Sequence, residues 1–360
     1  MTATPAEKDL PPGRGQRRLA AIGYAIRALK VLPAPLRERV LDATVGGVSA
    51  APPPFRDVLS LVEAAGGVPD GTRWQARLRA ERPELARVRI RDVSSDDAGR
   101  LRARLYLPPI DAPAAGAALV WVHGGAFVIG SLDQQEAHWP AIELAAAGIP
   151  VLSVDYRLCI DGVHYPEPQD DVLTAWRWVV AHADELGVAP AQLHLGGGSA
   201  GGCLVAGATL RLRDAGEPLP ASLYLAYPVV QGDLPPADPA VQAELATVKV
   251  VSDEWVHDMF ATWAGPASWD DPYVSPGLAD LTGLPPTYVL TCALDTLRRG
   301  SEPFVERLRE AGVPVWQDLA AGARHATLGE PGSEHGEAAI GRLCTWLTDG
   351  IAGLEHRDLH

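Results

Sequence analysis

The chain has 360 residues, 47% of them hydrophobic and 21% charged, and a formal net charge of −14. A pI near 5.1 and a mean hydropathy of +0.01 exclude the basic surface that nucleic acid or an anionic membrane face requires, and the length suffices for a large core. Cys159, Cys203, Cys292 and Cys344 are far apart with no C-x-x-C pair, which argues against zinc or a disulfide framework and for reduced thiols.

Met1–Leu10 carries charge and proline instead of an apolar signal core, and no run approaches the ~20 apolar residues of a membrane span, so the expected compartment is the cytoplasm. Arg17–Leu32, with Leu19, Ile22, Ile26 and Leu29, has helical spacing, and Pro35–Val45 and Phe55–Ala65 continue in that style. These helices precede any strand and read as an appended layer. Val88–Val93 and Leu101–Leu107 alternate apolar with polar residues around the turn Ser94–Gly99, an antiparallel pair at a sheet edge.

From there strands and helices alternate. Ala117–Val122 and Ile149–Val154 are short apolar runs of the buried-strand type, with helical Gln135–Ala147 between them and helical Asp170–Leu186 after them. Gln192–Leu195 is a strand, Leu204–Asp214 a helix and Ser222–Tyr227 a strand. Val229–Ala264 breaks the rhythm with prolines and two helices, one of them Asp253–Trp263. The alternation resumes with strand Thr287–Thr291, helix Glu302–Ala311, strand Val313–Leu319 and helix Glu337–Leu347. The pattern predicts an α/β fold with a mainly parallel sheet covered by helices on both faces.

Candidate chemistry gathers just after predicted strands, where open α/β sheets place their sites. Gly197-Gly198-Ser199-Ala200-Gly201 matches the G-x-S-x-G nucleophile elbow. Asp295 follows strand Thr287–Thr291, and His325 follows strand Val313–Leu319. An oxygen nucleophile, an imidazole to carry its proton and a carboxylate to orient the imidazole are what serine-mediated acyl transfer requires, in the order Ser, Asp, His. His123-Gly124-Gly125-Ala126 follows an early strand, and the N–H groups of Gly124, Gly125 and Ala200 are the candidate oxyanion donors.

Other residues compete for these roles. Asp270, Asp271 and Asp280 precede the strand that leads to Asp295, and His335 lies at the start of the last helical pattern. His123 reads as a loop-fixing side chain, and Asp170 and Asp171 as acids at a helix N-terminus. The glycines also match G-x-G-x-x-G as Gly196, Gly198 and Gly201, a dinucleotide fingerprint, but the following strand ends in Pro228 instead of a ribose-binding acid.

From about Leu101 to Leu347 the chain resembles the bacterial hormone-sensitive-lipase-like carboxylesterases. The likeness rests on His123-Gly124-Gly125, Val154-Asp155-Tyr156-Arg157-Leu158, Ala175-Trp176-Arg177-Trp178-Val179, the elbow with Ala200-Gly201-Gly202, Ser275-Pro276, Gly283-Leu284-Pro285-Pro286-Thr287, Asp295-Thr296-Leu297, Ala311-Gly312-Val313-Pro314-Val315 and His325. It implies the α/β-hydrolase fold, with N-terminal cap helices over 1–75, a core over 76–228, a cap insertion over 229–264 and the rest of the core over 265–360. It further implies hydrolysis of short- to medium-chain carboxylic esters through an acyl-enzyme, with no metal or organic cofactor and a small-molecule ester as the partner. Phe127, Trp255 and Trp263 are acyl-pocket candidates, with plain packing as the alternative. Strand Val313–Leu319 and the last helix are where two copies would pair.

The sequence departs from the family pattern at several points. Gly198 stands where an aspartate is usual, Ala126 and Ala326 where glycines are usual, Thr296 where proline is usual, and Cys159-Ile160-Asp161 in place of Ala-Pro-Glu. None removes a triad group. An amidase, lactonase or transacylase on the same triad, or a non-catalytic ligand-binding member of the fold, remain alternatives.

Overall fold

The structure is a computed structural model and describes residues 53–65, 72–248 and 250–358. The helices expected at Arg17–Leu32 and Pro35–Val45 lie outside the described residues. Helix α1 (Phe55–Ala65) forms with the predicted bounds. Helix α2 (Thr72–Glu81) was not predicted. Only Trp74 and Leu78 mark its apolar side, too few for periodicity to detect.

Eight strands form one sheet in the order β1-β2-β4-β3-β5-β6-β7-β8. They are β1 (Arg89–Ser95), β2 (Leu101–Leu107), β3 (Ala118–Val122), β4 (Val151–Val154), β5 (Leu193–Gly198), β6 (Leu223–Ala226), β7 (Thr287–Leu294) and β8 (Val315–Arg324). β1 and β2 are the predicted antiparallel edge pair, β2 runs antiparallel to β4, and every later pairing is parallel. The crossovers carry α3 (Gln135–Ala146), α4 (Glu167–Ala181), one-turn α5 (Ala183–Leu186), α6 (Ala200–Asp214), α7 (Pro239–Leu245), α8 (Asp253–Ala264) and α9 (Arg298–Glu310), and α10 (Glu334–Asp358) ends the chain's described part.

Strand alternation assigns side chains to the two faces. Ala118, Val120 and Val122 of β3 join the core beneath α4 and α6, while Leu119 and Trp121 join the core beneath α3 and α10. Both faces are apolar, so the strand reads as an unbroken hydrophobic run, as a covered parallel sheet requires.

The strands that lead to the candidate residues run further than predicted. Gly196, Gly197 and Gly198 pair with Tyr224, Leu225 and Ala226 and extend β5 beyond Leu195. Helix α6 then starts at Ala200 instead of Leu204. Strand β7 continues past Thr291 to Leu294, and β8 continues past Leu319 to Arg324. Local propensity ends a strand at glycine or alanine, but the ladder hydrogen bonds of a neighbouring strand carry it on.

Asp170 lies in the first turn of α4, where its charge suits the helix dipole. Asp171 does not act as a solvated helix-end acid. It is 2% exposed and accepts from the Arg157 backbone N–H at 2.8 Å, from the Arg157 guanidinium at 2.9 Å and from Arg100 at 3.2 Å. It thereby ties the loop after β4 to α4, with the buried carboxylate compensated by two arginines.

The stretch between β6 and β7 folds over the carboxyl ends of the strands. Ser252 caps α8 by accepting from the Trp255 N–H at 3.2 Å. Helix α1 packs on α8, with Phe55 edge-on to Trp255 at 5.0 Å and the Trp255 indole N–H donating to the Pro53 carbonyl at 3.2 Å. Helix α2 lies elsewhere, with Trp74 edge-on to buried His138 on α3 at 5.4 Å. Among the described residues no helix is long and apolar enough to cross a membrane.

Candidate active site

Each candidate residue is the first after its strand. Ser199 follows β5, Asp295 follows β7 and His325 follows β8. Ser199 alone makes the turn from β5 into α6, with φ 53° and ψ −117°, a strained conformation for a residue with a side chain. Its backbone is held on both sides. The N–H donates to the Ala226 carbonyl at 2.8 Å, and the carbonyl accepts from the Val229 N–H at 3.3 Å. The glycines around it are demanded by space. A Cβ at Gly201 would lie 2.1 Å from the Val122 carbonyl oxygen, and one at Gly197 would lie 2.6 Å from the Gly201 backbone.

The three side chains form a continuous chain. His325 Nε2 is 2.9 Å from Ser199 Oγ, and His325 Nδ1 is 2.6 Å from Asp295 Oδ2. Asp295 is 3% exposed, and its Oδ1 accepts from the Leu297 N–H at 3.0 Å, which fixes the carboxylate's rotation. Burial pulls the His325 imidazole toward its neutral form, but Asp295, and behind it the Glu136 charge, outweigh burial and leave its pKa raised. The Tyr227 ring stands edge-on to His325 at 5.0 Å.

His123 is fully buried, stacks on Tyr156 at 4.5 Å and reaches the Gly124 carbonyl through Nδ1 at 2.7 Å. Burial pushes its pKa down to about 4, so it is a neutral loop-fixing side chain.

Gly124 requires a correction. Its N–H is spent on Glu136 Oε2 at 2.5 Å and does not point free into the site. Gly125 lines the cavity with φ 128°. Ala126 lines it too, at φ 53°. Among the described residues no protein acceptor takes the N–H of Gly125, Ala126 or Ala200. Ala126 stands where the family usually has glycine, and it keeps the left-handed backbone that glycine favours.

A cavity of about 460 Å³ opens at Ser199 and His325. Val58, Val250, Val251, Trp255, Val256 and Met259 supply its apolar wall, and they come from α1 and the stretch ending in α8. Trp255 lines this space. Phe127 and Trp263 do not. They stack face to face at 5.0 Å and are wholly buried beside the site, so their role is packing. Glu136 is the functional candidate that sequence reasoning missed. It is 7% exposed, lines the cavity and accepts from the Tyr227 hydroxyl at 2.5 Å. Its only sequence signal was an acidic residue in the first turn of α3. Among the described residues no group of three or more His, Cys, Asp or Glu is placed to hold a metal ion.

Comparison with known proteins fits this geometry. The profile of a family described by the alpha/beta hydrolase fold matches residues 119–329. An ethyl acetate hydrolase of Pseudomonas putida is 34% identical over 69% of this chain and 77% of its own. The esterase LipI of Mycobacterium tuberculosis is 32% identical over 81% of this chain and 92% of its own. The solved structure of an esterase from the bacterial hormone-sensitive lipase family superposes with a TM-score of 0.66 at 26% identity, covering 86% of this chain and 98% of that one.

Proposed function

The chain belongs to the hormone-sensitive-lipase-like carboxylesterases of the α/β-hydrolase fold, and on that premise we infer that Ser199, His325 and Asp295 carry its ester hydrolysis. The protein is a carboxylic ester hydrolase. The observation that supports the residue assignment is the unbroken line from Ser199 Oγ through His325 to Asp295, at 2.9 Å and 2.6 Å.

In the inferred cycle His325 Nε2 takes the Ser199 proton as Oγ attacks the ester carbonyl. Asp295 holds the tautomer and favours the imidazolium that forms. The oxyanion of the tetrahedral intermediate accepts from the N–H groups of Gly125, Ala126 and Ala200, donors already in place before reaction. His325 returns the proton to the departing alkoxide. Water then enters, His325 takes its proton as the oxygen attacks the acyl-enzyme carbonyl, and on collapse His325 returns that proton to the departing Ser199 Oγ as the acid is released.

Short- to medium-chain esters suit a cavity of about 460 Å³ with an apolar wall. A relative named for ethyl acetate hydrolysis is in keeping with small esters. Helix α1 and residues 229–264 act as the cap in this reading, which the place of α1 and α8 above the cavity supports. A cytoplasmic setting is supported by the buried thiols of Cys159, Cys203 and Cys292. Pairing of two copies is supported by edge strand β8, whose Leu319 is 44% exposed.

The assignment is tested by labelling the protein with a fluorophosphonate and mapping the adduct. Label on Ser199, lost in Ser199→Ala together with hydrolysis of p-nitrophenyl butyrate, is expected. Label elsewhere, or full turnover by Ser199→Ala, would overturn it.

A further inference from the structure

Gly198 has no need of glycine's backbone freedom, for it lies in β5 without a positive φ. Its reason is space. A Cβ there would lie 2.5 Å from Glu136 Oε1 and 2.9 Å from Glu136 Cδ. A Cβ at Gly124 would lie 2.5 Å from Glu136 Oε2 and 3.0 Å from Ser199 Cβ. Two glycines from separate strand ends thus make room for one carboxylate beside the nucleophile.

Each oxygen of that carboxylate has a partner. Oε2 accepts from the Gly124 N–H and Oε1 from the Tyr227 hydroxyl, each at 2.5 Å. The Tyr227 oxygen in turn accepts from the Leu328 N–H at 3.3 Å, in the turn that follows His325. The Glu136 backbone carbonyl accepts from the Trp121 indole at 2.7 Å, which anchors the residue to β3. Glu136 lies in the first turn of α3, where the helix dipole helps to offset the cost of a buried negative charge.

We propose that Glu136 is a positioning residue for ester hydrolysis: from the room left by Gly198 it holds the oxyanion loop at Gly124 and braces the His325 turn through Tyr227. This rests on the assignment of Ser199, His325 and Asp295. With the Gly124 N–H tied back, the loop presents Gly125 and Ala126 to the oxyanion. The carboxylate also adds negative charge behind His325. The titratable and charged groups that face His325 are Asp295 after β7, Glu136 on α3, Tyr227 after β6 and Arg324 at the cavity rim. Of these Glu136 and Asp295 favour the imidazolium formed when Ser199 gives up its proton.

Three variants test the proposal with p-nitrophenyl butyrate: Glu136→Gln, Glu136→Ala, and Glu136→Ala combined with Gly198→Asp. Wild-type labelling at Ser199 is checked first, and its failure would overturn the underlying assignment and not the role of Glu136. Glu136→Gln should lower kcat about tenfold or more with KM changed less than about threefold. The acid limb of its kcat/KM profile should move to lower pH. Glu136→Ala should lose more, and adding Gly198→Asp should recover about tenfold or more of that loss by returning a carboxylate to the same space. Thermal unfolding reports whether each variant folds, and Glu136→Gln decides if the alanine variant does not. Unchanged kcat and pH limb in Glu136→Gln, or a folded double variant no more active than Glu136→Ala, would overturn the proposal.

Discussion

Leu294 and Arg324 are paired across β7 and β8, so the residues that follow them, Asp295 and His325, leave the sheet side by side. Their 2.6 Å contact is therefore set by the pairing of Leu294 with Arg324, which is reached through an irregularity after Cys292 and Ala320 that gives β8 two extra residues. A shift in the register of either strand would part acid from base.

Asp295→Asn keeps this geometry but offers the imidazole an amide in place of a carboxylate. We expect kcat on p-nitrophenyl butyrate to fall by roughly 10³–10⁴ with little change in KM. Retention of wild-type kcat would assign the orienting role to another carboxylate.

The raised His325 pKa gives opposite signs for rate and stability. The base must be neutral to accept the Ser199 proton, so kcat/KM should fall on the acid side with a midpoint above the ordinary histidine value of 6.5. Stability runs the other way. The folded state binds the proton more tightly than the unfolded chain, so this contribution is full below about 6.5 and lost as pH rises through the folded value. Rate profiles and unfolding midpoints across this range check both signs.

Ala326 follows His325 with φ 63°, in the left-handed region. Ala326→Gly should remove that strain and stabilise the fold by about 0.5–1 kcal/mol. Urea unfolding measures it, and a destabilised variant would mean that the methyl group's packing outweighs the strain.

Trp255 and Trp263 both lie on α8 and should respond differently to truncation. Trp255→Ala enlarges the cavity and should shift kcat/KM in favour of longer acyl chains in a p-nitrophenyl ester series. Trp263→Ala removes a fully buried ring stacked on Phe127 and should cost about 3–5 kcal/mol of stability, with chain-length preference unchanged.

Thr296 joins the loop after β7 to the stretch before α8 by donating to the Val251 carbonyl at 2.8 Å. Arg299 does so nearby through both carboxylate oxygens of Asp253. Thr296→Val should leave the Val251 carbonyl unpaired, cost about 1–2 kcal/mol and speed amide exchange through residues 250–264. Unchanged exchange there would show that the arginine alone holds this stretch.

The sheet's alternation, the edge pair at β1 and β2, helix α1 and the helix beginning at Asp253 were legible in the sequence, because period and turn residues are local signals. The meeting of Ser199, Asp295 and His325 at strand ends was legible from motif and order, since serine-mediated acyl transfer needs particular residue types after particular strands. The strand ends were not legible, because pairing with a neighbour decides how far a glycine-rich strand continues. Nor was the fate of the Gly124 N–H, which depends on a carboxylate twelve residues later that reaches back from α3. Phe127 and Trp263 show the same limit. An aromatic residue near a site reads alike whether its ring lines the cavity or packs beneath it, and only the positions of the neighbouring side chains distinguish the two. The sequence by itself determined the reaction class and three candidate residues for it. The tertiary structure decided which N–H groups stay free, which aromatic ring meets the cavity, and that Glu136 occupies the space beside Gly198, since these follow from close packing between segments far apart in the chain.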